Sequence, residues 1–229
     1  MEEKKNIGHL FDGIAGTYDM LNHLLSLNID KWWRRKAIKT MRPCQEVLDV
    51  AIGTGDLSLE MLRQQKARHI TGLDLSQEMM RIGQQKVQKK GLADQVRFDL
   101  GSAQEMPYGD NQYDAVTCAY GVRNFSRLDD GLREMARVLR PGGQLVILEF
   151  SYPTNPVVRF FYNIYFTRIM PLIGRLFSKD RSAYNYLNRS VKGFIWGQEM
   201  TDHLTQAGFR DARFKPLTFG ITTLYTATK

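Results

Sequence analysis

The sequence predicts an α/β fold: a mostly parallel sheet with helices on both faces, N-terminal helices, an inserted aromatic helical region and a C-terminal antiparallel strand pair. Three observations carry this. Short apolar runs recur at 47–51, 69–75, 95–100, 113–119 and 144–150, with helix-length segments between several of them. The first run, inside EVLDVAIGTGD at 46–56, enters a turn where Gly53 and Gly55 strip away side chains before a helix begins. After Ser151 the alternation gives way to a block dense in aromatic residues.

Each element follows from local chemistry. Residues 7–43 lack a strand's alternation. Tyr18, Met20, Leu21, Leu24, Leu25 and Leu27 suggest a short amphipathic helix, and a second runs from Asp30 as N-cap to about Met41, where Pro43 stops it. Trp32 and Trp33 are adjacent and cannot face the same way; one belongs in the core and the other at a rim or lid, where it could also meet substrate. Helix 56–65 follows the glycine turn. Ser76 caps the next helix, with Met79 and Ile82 on its buried face and Gly91 closing it. Residues 101–112 form a loop, 128–139 a helix ended by Arg140-Pro141-Gly142-Gly143, and 198–207 a helix ended by Gly208. Segments 209–216 and 220–227 read as the closing hairpin at the sheet edge. Residues 152–177, interrupted by Arg159, Arg168, Arg175, Asn163 and Pro171, read as one or two amphipathic helices that pack on the sheet, cap a greasy pocket or lie on a membrane, not as a span; 181–190 continues as a polar, Tyr-rich stretch.

Composition narrows the function. The 229 residues fit one domain, and 43% hydrophobic content supplies a core. A net charge of +8 favours an anionic partner, either nucleic acid or an anionic membrane surface. Cys44 and Cys118 form no disulfide or metal pattern, and the histidines at 9, 23, 69 and 203 are scattered, so no metal is expected. The N-terminus lacks an apolar signal core and no run of eighteen apolar residues occurs, which makes a cytoplasmic location the default.

Ligands of an open parallel sheet bind beyond the strands' carboxyl ends. Asp74 ends the second run nineteen residues after Gly55, placed to accept hydrogen bonds from ribose hydroxyls. That arrangement suits NAD or an adenosyl ligand. Ser58 stands where a dinucleotide fingerprint has its third glycine, no GK[ST] follows the turn, and Asp49 and Asp56 would repel a pyrophosphate. Gly101-Ser102-Ala103 can meet an adenine edge. A phosphate-free adenosyl ligand is therefore the better fit; for Asp49, a loop-bracing carboxylate is the competing role.

FDGIAGTYDMLNHLLSLNIDKWW, AIGTGD, AYGVRNF at 119–125 and RVLRPGGQLVILEFS at 137–151 together resemble the class I S-adenosylmethionine-dependent methyltransferases with their Rossmann-like sheet, and within them the quinone-biosynthesis C-methyltransferases of the menaquinone/ubiquinone type. The resemblance spans about residues 10–228. It implies methyl transfer to a ring carbon of a prenylated quinol, most simply demethylmenaquinol, with the ubiquinone-pathway benzoquinol as the alternative. It implies cofactor contacts from Thr17, Asp49, Ala51, Gly53, Thr54, Gly55, Asp74, Leu75, Met79, Ser102, Ala103 and Tyr120. Arg123 would face the phenolate and Asn124 would orient the ring oxygen or the cofactor. Tyr18, Asp19 and Asn22 would close over the site, and His23 and His203 are minor candidates for a base beside solvent. Residues 1–43 become a helical lid, 44–151 the cofactor core, 152–197 a substrate- and membrane-facing insertion and 198–229 a closing helix and strand pair. Peripheral attachment at the inner face of a membrane follows, with a homo-oligomer as another use of the aromatic face. Asp30 (usually His), Ser102 (Asn or Asp), Arg189 (Glu), Ile195 (Pro) and Arg140 (Lys) depart from the family pattern, those at 189 and 195 on the substrate side.

Three other readings compete. An RNA or small-molecule methyltransferase is permitted by the charge, but the aromatics form one contiguous block instead of interleaving with Lys and Arg. A non-enzymatic cofactor-binding subunit is disfavoured by intact Arg123, Asn124 and Glu149. NAD-dependent reduction predicts tight NAD binding at the glycine turn.

Overall fold

The carboxyl ends of the central strands all meet the N-terminal helices, and that junction organises the molecule. A computed structural model describes residues 7–169 and 182–229. Two helices, α1 (Ile7–Leu25) and α2 (Ile29–Lys39), precede β1 (Cys44–Val50). Then come α3 (Asp56–Arg63), β2 (Ala67–Asp74), α4 (Gln77–Lys89), β3 (Val96–Leu100), β4 (Tyr113–Ala119), α5 (Leu128–Val138) and β5 (Leu139–Phe150). After β5, α6 (Pro156–Ile164) runs into a π turn (Tyr165–Ile169); α7 (Ser182–Lys192), α8 (Gln198–Gln206), β6 (Arg210–Leu217) and β7 (Thr222–Thr228) follow.

The seven strands are ordered β3-β2-β1-β4-β5-β7-β6. Strands β1 to β5 pair in parallel, and the order reverses direction between β1 and β4. The closing pair is antiparallel, but β7 inserts between β5 and β6, so β7 alone opposes its neighbours and the outer β6 points the same way as β1–β5.

Alternation along each strand divides the core. Leu48, Val50, Val116, Cys118, Leu145 and Ile147 face one layer with Leu132, Met135, Met200 and Leu204 of α5 and α8. Val47, Ala115, Val146 and Leu148 face the other with Ile38, Met61 and Met80 of α2–α4.

Several local expectations change. Asp30 is not the cap of α2: Asn28, in the left-handed region, precedes it, and Asp30 lies in its first turn, where it can pair with Arg34 one turn on. The buried stripe of α4 is Met79, Met80, Gly83 and Val87, with Ile82 only half-buried; Gly83 lets the helix close on Phe98, since a Cβ there would lie 2.8 Å from the ring. Strand β5 begins at Leu139, since Leu139 already pairs with Tyr113 across an irregular step. Ser76 does cap α4, accepting from Met79 N–H at 3.2 Å, and Gly91 closes it at φ +68°. Trp33 is buried and donates to Thr218 Oγ1 at 2.8 Å, while Trp32 stays exposed under Lys36. The Tyr-rich stretch from 182 is helical; residues 170–181, including Pro171 and Arg175, lie outside the described residues.

Candidate active site

Strand β1 is followed by Ala51 at φ +56° and Gly53 at φ +55°, and β4 by Tyr120 at φ +60°. These turns swing both chain ends outward at the reversal of strand order, leaving a cleft. A Cβ at Gly121 would sit 2.6 Å from Ala51 Cβ, so glycine permits the two ends to approach. A Cβ on Gly53 would meet nothing within 4 Å, so its backbone borders open space.

A cavity of about 90 Å³ is lined here by Tyr18, Ala51, Gly53, Asp74, Leu75, Met79, Ala103, Tyr120 and Asn124. Asp74 accepts from Gly53 N–H at 2.8 Å and Ser76 N–H at 2.9 Å, which fixes one face of the carboxylate and leaves lone pairs for a ligand. Burial nonetheless pushes its pKa above the ordinary carboxylate value. Among the described residues no Lys or Arg lines this cleft, so a diphosphate would find no counter-charge there. Two hydroxyl acceptors and close backbone suit an adenosyl group instead.

Phe11, Tyr18 and Tyr120 also line the larger cavity, about 450 Å³, so the two spaces adjoin. Its wall is mostly apolar: Leu10, Ile14, Leu21 and Leu25 of α1, Trp33 of α2, and Val158, Phe161, Tyr162 and Phe166 from the insertion. Tyr120 and Phe150 stack at 4.4 Å on one side, flanked by Arg34 over Tyr120 at 5.6 Å and Arg123 over Phe150 at 5.4 Å.

Arg123 is buried on the short 3₁₀ turn after β4. Its guanidinium donates to Glu149 Oε1 at 2.8 Å and to the Tyr120 carbonyl, and Glu149 also accepts from Arg123 N–H at 3.2 Å. Burial disfavours its charge, but Glu149 outweighs that and raises the Arg123 pKa. Its Nε–H finds no acceptor among the described residues, a donor left over at the cavity wall. Tyr18 bonds Asn22; burial raises its pKa, and Arg123 partly offsets the rise.

Sequence-derived candidates divide by position. Tyr18, Asn22, Tyr120 and Arg123 face the larger cavity; Asn124 faces the cofactor cleft, its Oδ1 accepting from Tyr186 Oη at 3.0 Å. Eight candidates, Thr17, Asp19, His23, Asp49, Thr54, Gly55, Ser102 and His203, do not reach either lining. Asp49 is buried within β1, accepting from Ser58 Oγ at 2.6 Å and Thr117 Oγ1 at 2.8 Å, the bracing geometry. Asp19 accepts from Thr54 Oγ1 at 2.6 Å and Lys86 Nζ at 2.8 Å, tying α1 to the glycine turn. Gly55 caps α3, Ser102 Oγ turns to Gln104 N–H, and Thr17 turns to the Ile14 carbonyl of its own helix. His203 pairs with exposed Asp129 at 2.5 Å, away from both cavities. Sequence reasoning missed Asp30, Arg34, Phe150, Tyr186 and Lys86. The local signal for Asp30 and Arg34 was their i,i+4 spacing; the others meet the site only through the tertiary fold.

Fold and cleft together define a class I S-adenosylmethionine-dependent methyltransferase. The chain belongs to the ubiE/COQ5 methyltransferase family, whose model matches residues 1–229. It is 44% identical over 230 residues to a demethylmenaquinone methyltransferase of Bacteroides fragilis, covering 100% of this chain and 94% of that protein. A ubiquinone/menaquinone biosynthesis C-methyltransferase of Geotalea daltonii is 42% identical, over 100% and 98% of the two chains. Among solved structures, the [4+2]-cyclase SpnF shares the fold at a TM-score of 0.71, with 17% identity over 99% of this chain and 96% of that one.

Proposed function

We propose that the chain transfers the methyl group of S-adenosylmethionine to a ring carbon of demethylmenaquinol, producing menaquinol. The observation that carries this is the large apolar cavity adjoining the cofactor cleft, with a buried arginine on its wall. A prenylated ring needs apolar walls for its tail and one polar partner for its oxygen. S-adenosylmethionine, when bound, supplies an electrophilic methyl on a cationic sulfur.

The chain's own residues do the rest. Gly53, Asp74, Met79 and Ala103 would hold the nucleoside, and Tyr18 and Tyr120 border both spaces. The acceptor carbon becomes nucleophilic when the neighbouring phenol loses its proton. Arg123, kept charged by Glu149, stabilises that oxyanion with donors already in place. Helices α1 and α2 act as a lid, tethered by Asp19, that keeps water out.

Leu27, Ile29 and Phe161 both line the cavity and are exposed, so they form its mouth. Exposed Val157 and Phe160 extend that apolar rim, with exposed Arg159 and Arg168 on the same segment to meet anionic headgroups. This supports peripheral docking on the inner leaflet, the prenyl tail remaining in lipid. Among the described residues no helix is long and apolar enough to cross a membrane.

The test incubates purified chain with methyl-labelled S-adenosylmethionine and either demethylmenaquinol or the ubiquinone-pathway benzoquinol. Label on the extracted naphthoquinol supports the reading; label on the benzoquinol alone moves it to the other pathway, and label on neither overturns it.

A further inference from the structure

Resting on that reading, we infer that Asp30 and His23 form the dyad that receives the proton released by methylation. Replacing an aromatic C–H by C–CH₃ at the expense of a sulfonium liberates one proton net: the phenol O–H is lost first, the phenolate takes the methyl to give a neutral dienone, and the ring C–H proton then leaves as the oxygen is reprotonated and aromaticity returns. That proton needs an acceptor at the cavity and a way out. Arg123 is held fully charged and cannot take it, and burial keeps the Tyr18 phenol protonated. Asp30 is the one carboxylate among the described residues lining the larger cavity. Its Oδ1 accepts from Ser26 Oγ at 2.6 Å, and its Oδ2 meets the Arg34 guanidinium. Behind it stands His23, with Nδ1 2.7 Å from Asp30 Oδ2.

His23 is the outward half. Its side chain is 23% exposed against 4% for Asp30, so the ring connects a carboxylate on the cavity wall to solvent. Its Nε2 lies 3.6 Å from Asp56 Oδ2 at the start of α3. The surroundings are charged on every side: Arg34 of α2 reaches Asp56 at 3.7 Å, Lys86 of α4 pairs with Asp56, and Lys86 also bridges to Asp19 of α1 at 2.8 Å. Three carboxylates, Asp19, Asp30 and Asp56, thus face two permanent cations. His23 bridges two of these carboxylates, Nδ1 to Asp30 and Nε2 toward Asp56. His23, Asp30 and Asp56 also lie close enough to ligate a metal ion, but Arg34 and Lys86 already occupy the carboxylates and would repel a dication. The proton passes from the phenol to Asp30, from Asp30 to His23, and from His23 to water.

The test compares wild-type enzyme with His23→Gln and with the exchange variant His23→Asp/Asp30→His. Turnover of a short-tail demethylmenaquinol is followed across pH, and S-adenosylhomocysteine binding is measured by calorimetry. The dyad predicts that H23Q loses about 100-fold in kcat. Its KM and S-adenosylhomocysteine affinity hold, and the pH dependence of kcat seen in the wild type is lost. The exchange variant recovers part of the lost turnover. Wild-type kcat and pH profile in H23Q overturn the dyad and leave the proposed function intact; so does loss of turnover together with cofactor binding, which marks a structural role. A wild-type enzyme that methylates no quinol removes the proposed function, and the dyad with it.

Discussion

At the scale of single residues, charge buried at the site is held in place by a named partner. Arg123 stays ionised because Glu149 lies 2.8 Å away, and its planar fork serves Glu149 and the Tyr120 carbonyl at once. Lysine keeps the charge but loses the fork. Arg123→Lys should therefore depress single-turnover methyl transfer by about 100-fold while S-adenosylhomocysteine binding, read by calorimetry, is unchanged; equal losses would move Arg123 to the cofactor side. Asp49 carries the opposite strain. Burial pushes its carboxyl up to about 6, more than the hydrogen bonds from Ser58 and Thr117 pull it down. A raised pKa means the folded state holds a proton that the unfolded chain has released between about pH 4 and 6. The stability from that proton is fully present below the unfolded value and is lost as pH rises through about 6. Asp49→Asn removes the titration, so wild type should gain melting temperature relative to D49N as pH falls from about 7 to 5. A constant difference across that range would show that Asp49 does not titrate there.

Elements explain which of these groups meet. Helix α1 lays Leu10, Ile14, Leu21 and Leu25 along the substrate cavity and pins itself to the cofactor loop through Asp19. Helix α6, started by Asn155 and Pro156, buries Tyr162 and turns Val157, Phe160 and Phe161 outward. Val157 and Phe160 line neither of the two cavities described, so V157D/F160D separates docking from chemistry. It should abolish co-flotation with anionic phospholipid vesicles while turnover of a short-tail quinol in solution is kept; retained flotation would assign this face to another partner, such as a second copy of the chain. Much of the frame was legible at this level, because caps and turns depend on a few neighbouring residues: Ser76 before α4, Gly53 and Gly55 after β1, Asp74 at the end of β2. What stayed hidden needed the third dimension. Glu149 reaches Arg123 only because β4 and β5 end side by side, and Lys86 reaches Asp19 only because α1 folds over α4. The His23–Asp30 pair spans the break between α1 and α2, where left-handed Asn28 reverses the chain, and helical periodicity cannot foresee that.

Across the whole molecule, the reversal of strand order between β1 and β4 sets the smaller cavity, and the helices before β1 and after β5 enclose the larger one beside it. The same sheet has an assembly problem written into its order. Strand β7 pairs with β5 along one side, from Gln144↔Thr228 to Phe150↔Thr222, and with β6 along the other. A ribosome therefore delivers β6 before the strand that joins it to the sheet. Until residues 222–228 clear the exit tunnel, the nascent chain presents β5, rich in Leu and Ile, as a bare edge open to wrong partners. Stalled nascent chains should remain protease-sensitive while the emerged portion stops short of Thr222 and become resistant once β7 is free. Resistance at the earlier stage would mean that the first five strands close without it. During synthesis, the period of greatest need for a chaperone falls after the residues lining both cavities have already been made.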